Sequence, residues 1–388
     1  MKLAGRMSRL GTETAFEVLA RARALEAKGH DVVHLEIGEP DFDTPAHVVD
    51  AGVAALRSGY THYSPSPGIP ELRSAIATFS GKKRGLTFSP EQVVVTPGGK
   101  PIMFYVMLAL AEPGDEVIYP NPGFPIYESM INFVGAKAVP TPLREEREFR
   151  LDVEELESLI TPRTRLIIIN SPQNPTGGVL ERSDIHRIAE LAVQHDIMVM
   201  TDEIYCDILY EGEHVSIATF PGMAERTIIL DGFSKSYAMT GWRMGYGIMP
   251  TSLVPSISRL VTNSVSCTAT FVQRAGVAAL EGSQEPVLAM VEEFRRRRAV
   301  IVDGLNAIPG IRCAMPKGAF YVFPYVGGLG MDCRKFADYL LEEVGVATLA
   351  GTSFGAHGEG YLRLSYANSI ANLQKALSRI DEAVRRLR

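Results

Sequence analysis

Between residues 90 and 250, short runs of β-branched and aliphatic residues alternate with longer stretches in which apolar positions recur every three or four residues. An unbroken apolar run marks a strand buried on both faces, and the longer period marks a helix packed against it. The clearest unit joins Leu166-Ile167-Ile168-Ile169, the loop NSPQNPTGG, a helix over 181–195 and a second strand, Ile197-Met198-Val199-Met200. Such units build parallel sheets with crossover helices. A further strand over 227–230 runs straight into DGFSKSYAMTGWRMG, residues 231–245. Open α/β sheets bind ligands outside the carboxyl ends of their strands. The polar residues just past three strand ends, Asn170 to Asn174, Asp202 to Tyr205, and Ser234 with Lys235, are therefore expected to face one crevice.

Outside this region the pattern changes. Residues 13–28 read as an amphipathic helix stopped by Gly29, followed by a short strand at 32–35 and the turn GEPDFDTP. Beyond about residue 280 come a long charged helix (284–306), short strands in GAFYVF and YLRLSYA, and a closing helix (370–387). The fold class predicted is α/β. A large domain over 45–280 carries a mostly parallel, helix-flanked sheet, and a smaller α+β domain is built from both chain ends, residues 1–44 and 281–388.

At 388 residues, 46% hydrophobic and 22% charged, the chain has the make-up of a globular protein with a sizeable core. Its formal net charge of -6 gives no general attraction to nucleic acid or to an anionic membrane, which leaves small molecules as the expected partners. Cys206, Cys267, Cys313 and Cys333 show no CxxC pair and no disulfide-framework spacing, as expected of a reduced, cytoplasmic protein. The opening MKLAGRM lacks the apolar stretch of a signal peptide, and no later run approaches the ~20 residues of a membrane helix. RRRR at 295–298 is expected to be a solvated helix face, because four consecutive residues point around the whole circumference and Glu292 and Glu293 precede them. Ser80-Gly81-Lys82-Lys83 has the S-x-x-K spacing of β-lactamases without their SDN and KTG partners. The eight histidines contain no HExxH and no tight cluster, so no metal site is expected.

TPGGKPIMFYVMLALAEPGD, residues 96–115, is a glycine turn, a proline at the first turn of a helix, an apolar helix and a Pro-Gly stop. The free amides of Gly99 and Lys100 at such a helix start, with the positive end of the helix dipole, suit a phosphate. A phosphate site, an aspartate at a strand end and a loop lysine together suggest a cofactor with a phosphate, a basic ring nitrogen and an aldehyde. Pyridoxal 5'-phosphate has all three. Lysine forms a Schiff base with its aldehyde, and an aspartate keeps its pyridinium nitrogen protonated.

SPQNPTGG, TDEIY, FSKSYAMTGWRMGY and YLRLSYA, together with LEIGEPDFDTP, THYSPSPGIPELR and PNPGFPIY, follow one another in an order and spacing that span nearly the whole chain. In these seven motifs the sequence resembles the fold-type I aminotransferases, in particular the class I aspartate and aromatic aminotransferase group. The resemblance implies an enzyme that exchanges an amino group between an L-amino acid and a 2-oxo acid by a ping-pong mechanism. It makes Lys235 the Schiff-base lysine and general base, Asp202 the partner of the pyridine nitrogen, and Tyr205 and Asn174 the hydrogen-bond partners of the ring's phenolic oxygen. Ser234 and Arg243 join the Gly99 and Lys100 amides on the phosphate, Phe124 stacks on the ring, and Tyr63 reaches the phosphate of a neighbouring subunit, which implies a homodimer. Arg363 holds the substrate α-carboxylate with help from Asn174 and the Gly38 backbone, a task for a planar two-pronged donor. Gly232 departs from the family pattern, where many relatives carry a phosphate-binding serine.

Aspartate with 2-oxoglutarate is the pair the resemblance suggests first. Glu13, in a segment that approaches the active site in relatives, would disfavour acidic side chains by charge repulsion. The same lysine, aspartate and arginine also serve carbon–sulfur lyases and aminocyclopropane-carboxylate synthases of this fold, which stay open as alternatives. A ligand-sensing aminotransferase-like module is a more distant one.

Overall fold

The computed structural model describes residues 2–387. Its centre is a seven-stranded sheet in the order Val93–Thr96, Gly245–Ile248, Thr227–Gly232, Met198–Asp202, Thr164–Asn170, Glu116–Asn121, Lys137–Pro142. Only Gly245–Ile248 runs antiparallel to its neighbours. The expected unit is present as strand Thr164–Asn170, helix Arg182–Gln194 and strand Met198–Asp202. Leu166, Ile167, Ile168 and Ile169 are each 0–2% exposed. At ~1.5–3 kcal/mol per buried side chain, such a strand is stable only when both sheet faces are covered.

Strand register sets the floor of the crevice. Asn170 lies level with Asp202 on the neighbouring strand, and Asp202 with Leu230 on the next, so two strands end side by side and the third runs two residues further, to Gly232. Helix ends follow local chemistry. The helix Pro70–Arg84 starts on a proline and stops at Gly85, whose φ of 67° closes the last turn as glycine readily can.

A second region joins the two chain ends. Val33–His34 pairs in parallel with Val346–Ala347, and Leu349–Ala350, Leu362–Ser365 and Tyr321–Val322 form a three-stranded antiparallel sheet. The helices Glu285–Asn306 and Ile370–Leu387 close over it, burying Phe294, Ile301, Leu305, Leu373, Ala376, Ile380 and Val384 together with Phe320 and Tyr366. No helix among the described residues is long and apolar enough to cross a membrane.

The arginine run is not a solvated face. Residue 297 falls on the stripe 290, 294, 297, 301, 305 that the helix buries. Arg297 is accordingly 6% exposed, with its guanidinium 4.9 Å from the Phe42 ring centre and 2.6 Å from Asp41. Arg298 reaches Glu211 and the Pro316 carbonyl, and Arg295 the Tyr210 carbonyl, which leaves only Arg296 with its side chain mostly in water. Glu293, one turn before Arg297, supplies the second counter-charge inside the helix.

Candidate active site

A crevice of about 520 Å³ opens at the carboxyl ends of the central strands and is lined by residues from both regions. Gly38, Gly99, Lys100, Phe124, Asn174, Asp202, Tyr205, Ser234, Lys235, Arg243 and Arg363 all line it. Of the residues expected from sequence, Tyr63 alone stands outside, 88% exposed.

Asp202 closes its strand almost fully buried, 3% exposed. One oxygen accepts from the Tyr127 hydroxyl at 2.5 Å and the other from the Ile204 amide at 3.3 Å. Burial raises its pKa to about 6, the nearby Asp231 and Glu203 carboxylates add to the rise, and the Tyr127 and Ile204 hydrogen bonds oppose it. Asn170 ties the adjacent loop by accepting from the Asn174 amide at 2.9 Å and donating to the Asp202 carbonyl at 2.9 Å. That bracing fixes Asn174, whose side-chain oxygen accepts from Arg363 Nη1 at 3.2 Å.

Lys235 sits in the loop after the strand Thr227–Gly232, and its amine donates to the Gly38 carbonyl at 2.5 Å. Burial lowers its pKa to about 8. Glu39 and Glu13 pull the other way, while Arg363 and Lys100 lower it further. Tyr205 shares a 2.8 Å hydrogen bond with Tyr321, and burial holds its hydroxyl well above the ordinary range. A β-carbon on Gly38 would collide with the Tyr321 hydroxyl, so glycine lets the two segments meet.

The helix Lys100–Leu110 points its start at the same space, and first-turn amides have no partner inside a helix. The Arg243 guanidinium occupies the place a β-carbon on Gly98 would take, and Gly98 has a φ of 87°. Arg243 itself has a φ of 56°, a strained backbone for a non-glycine residue and one that aims its fork at the helix start. Ser234 completes this edge. A β-carbon at Gly232 would stand 3.0 Å from the Gly245 Cα and 3.3 Å from the Ile204 side chain. Close strand packing thus explains the glycine at that position.

Arg363 is 4% exposed and lies between the rings of Tyr321 and Phe354, 4.6 and 4.8 Å away. It donates to the Glu36 carbonyl and to Asn174, while its buried Nε has no partner. Such an orphan donor costs stability unless a ligand meets it.

Sequence reasoning missed Tyr127, Tyr321, Glu39 and Phe16. Tyr127 follows Phe124 by three residues, and its amide donates to the Phe124 carbonyl at 3.1 Å at the start of the helix Ile126–Val134, a spacing that could have linked them. Lys100 also differs from expectation in one respect: its side chain ion-pairs with Glu13 and lies 5.6 Å over the Phe124 ring, although its amide is at the helix start.

Residues 30–380 match the family described as "Aminotransferase class I and II". The chain belongs to that family. This aminotransferase is 40% identical to the aspartate aminotransferase of Musicola paradisiaca over 98% of its own length and 96% of the relative's. It is 39% identical to the aromatic-amino-acid aminotransferase 2 of Thermococcus litoralis, over 99% of both chains. The solved aspartate aminotransferase of Thermus thermophilus with maleate superposes with a TM-score of 0.94 at 40% identity, covering 99% of this chain and 100% of that one. The protein is therefore an enzyme with the aminotransferase fold, and its fold class is the one expected from sequence.

Proposed function

We propose that this aminotransferase works with pyridoxal 5'-phosphate bound to Lys235 and exchanges the amino group of an L-amino acid, aspartate first, with a 2-oxo acid, 2-oxoglutarate first. One observation carries the reading: a lysine amine with a lowered pKa and a buried aspartate share a crevice with an arginine whose Nε is unpaired. The donor set fits the cofactor. Asp202 is buried against neutral donors, and a protonated ring nitrogen is the cation that would offset its cost of burial. When bound, the cofactor supplies an aldehyde that links to amines and a ring that accepts electrons from the substrate Cα.

Asp202 would hold the ring nitrogen, Tyr205 and Asn174 the phenolic oxygen, and Phe124 a ring face. Ser234, Arg243 and the amides of Gly99 and Lys100 would hold the phosphate. Arg363 clamps the α-carboxylate through its Nε and the free faces of its fork, beside Asn174 and the Gly38 backbone. Lys235, as a free amine, takes the proton from the substrate Cα. We place residues 1–44 and 281–388 in one body that closes on 45–280 when Arg363 engages substrate, excluding water. A homodimer is supported by an exposed apolar stripe of Val49, Val53, Leu56 and Tyr60 leading to Tyr63, which would reach the neighbouring subunit's phosphate.

For a dicarboxylic substrate the crevice holds one further cation, Lys100, with Glu13 as its present partner. The Thermus relative's maleate is itself a dicarboxylate, which favours the aspartate reading. Testing takes a panel of amino donors against several 2-oxo acids while the bound cofactor's visible absorbance is followed. Stoichiometric conversion by aspartate without release of ammonia supports the assignment. Catalytic ammonia release from one substrate, or a visible band that survives Lys235→Ala, overturns it.

A further inference from the structure

Two consecutive cations at the end of the helix Pro70–Arg84 reach beneath the crevice floor. Arg84 donates from Nε to Glu203 at 2.8 Å and from Nη2 to Asp231 at 3.0 Å. Glu203 directly follows Asp202 in the chain, and Asp231 is the penultimate residue of the strand that leads into the Lys235 loop, its other oxygen accepting from the Gly232 amide at 2.7 Å. Lys83 ion-pairs with Asp207, and Asp207 accepts from the Ser236 hydroxyl at 2.6 Å. Ser236 directly follows Lys235. The same helix presents Ser80, 3.1 Å from the Tyr246 hydroxyl, which in turn donates to Asp231 at 3.2 Å. His214 and Ser216 complete the shell around Glu203 at 2.8 and 2.6 Å. The S-x-x-K pattern at 80–83 therefore belongs to a buried polar cluster.

Buried ion pairs contribute little net stability, because desolvation offsets most of their attraction. A cluster of this size is better accounted for by geometry. Asp202 and Lys235 each have an immediate neighbour tied to the same short basic segment, and small displacements at reacting groups are costly in rate. The geometry points to Lys83 and Arg84 as positioning residues that hold the Asp202 strand end and the Lys235 loop at a fixed separation for amino transfer. This inference rests on the roles proposed above for Asp202 and Lys235.

The test uses cofactor-loaded protein. Arg84→Lys keeps a charge but loses the fork, so it can no longer bridge Glu203 and Asp231. The single-turnover rate with saturating amino donor should fall about 10- to 100-fold. Apparent donor affinity should stay within about twofold, because Arg363 is anchored elsewhere. The pKa read from a pH titration of the cofactor's visible band should move by about 0.5 or more. Lys83→Met and Ser236→Ala, which cut the second link, should show the same pattern more weakly, and they carry the test if Arg84→Lys does not fold. A folded variant set with wild-type rate and an unmoved titration would overturn the inference, as would a loss of thermal stability alone. Wild type and Lys235→Ala run in parallel separate the two levels. Absence of any lysine-dependent band removes the cofactor reading, whereas a normal band with indifferent variants removes only the clamp.

Discussion

Burial takes the Lys235 amine from a pKa of 10.5 to about 8, and this can be tested without turnover. At pH 7 an amine of pKa 10.5 is unprotonated in roughly 3 molecules in 10,000, and one of pKa 8 in roughly 1 in 10, so the reactive form is enriched ~300-fold. Stopped-flow absorbance of the cofactor-free protein mixed with pyridoxal phosphate should show a rate that climbs ~tenfold per pH unit below about 7.5 and levels above about 8. A rate still climbing undiminished through about pH 9.5 would mean that the amine is hydrated like a surface lysine and that burial does not lower its pKa. Arg363→Met removes a cation that lowers the pKa, so the plateau should begin at higher pH. Glu39→Gln removes an opposing anion, so it should begin at lower pH.

The same shift has a stability consequence of fixed sign. Unfolded, the amine keeps its proton up to 10.5; folded, it loses it near 8, so the penalty on folding is complete below about 8 and fades as pH rises toward 10.5. At 1.36 kcal/mol per pH unit the ceiling is ~3 kcal/mol, and the crevice's opening to solvent reduces this to ~1–2 kcal/mol. Lys235→Met should therefore stabilise the cofactor-free protein at pH 7 by that amount, with the gain gone at high pH. Denaturant titrations at pH 7 and above 10.5 make the comparison.

Arg363→Lys should raise KM about 10- to 100-fold for every α-carboxylate substrate and change kcat less, since a point charge replaces a two-pronged donor; steady-state kinetics with unchanged KM would remove its role. Glu13→Gln frees Lys100 from its ion pair, so kcat/KM should rise for aspartate relative to phenylalanine, and a ratio that moves the other way would count against Lys100 as the side-chain cation. Tyr127→Phe deletes a hydrogen bond that opposes the raised pKa of Asp202. At ~1.5–3 kcal/mol for a hydrogen bond to a charged group, the cofactor dissociation constant should rise about 10- to 100-fold, measurable by equilibrium titration.

The central sheet was legible because its strands are buried on both faces and read as unbroken apolar runs, Leu166 to Ile169 above all. Asp202, Asn174 and Lys235 were legible as polar residues just past strand ends, where chain direction alone dictates a common edge. Arg297 was misread, because charge composition says nothing of phase: its place on the Phe294 and Ile301 stripe, and its partner Asp41 some 250 residues earlier, exist only once the chain ends meet. The Lys100–Glu13 pair and the Tyr127–Asp202 bond were hidden for the same reason. Each joins segments far apart in sequence, and neither carries a local periodicity that could announce it.

Among the described residues, Val33–His34 finds its only strand partner at Val346–Ala347, with roughly 310 residues between them. At about 5–20 residues per second, a ribosome takes about 15–60 s to make that stretch. During translation Val33–His34 must therefore wait, unpaired, until Val346–Ala347 has been made. Arg363 is made later still, so a nascent chain can complete its seven-stranded sheet well before it carries the arginine proposed to hold the substrate carboxylate.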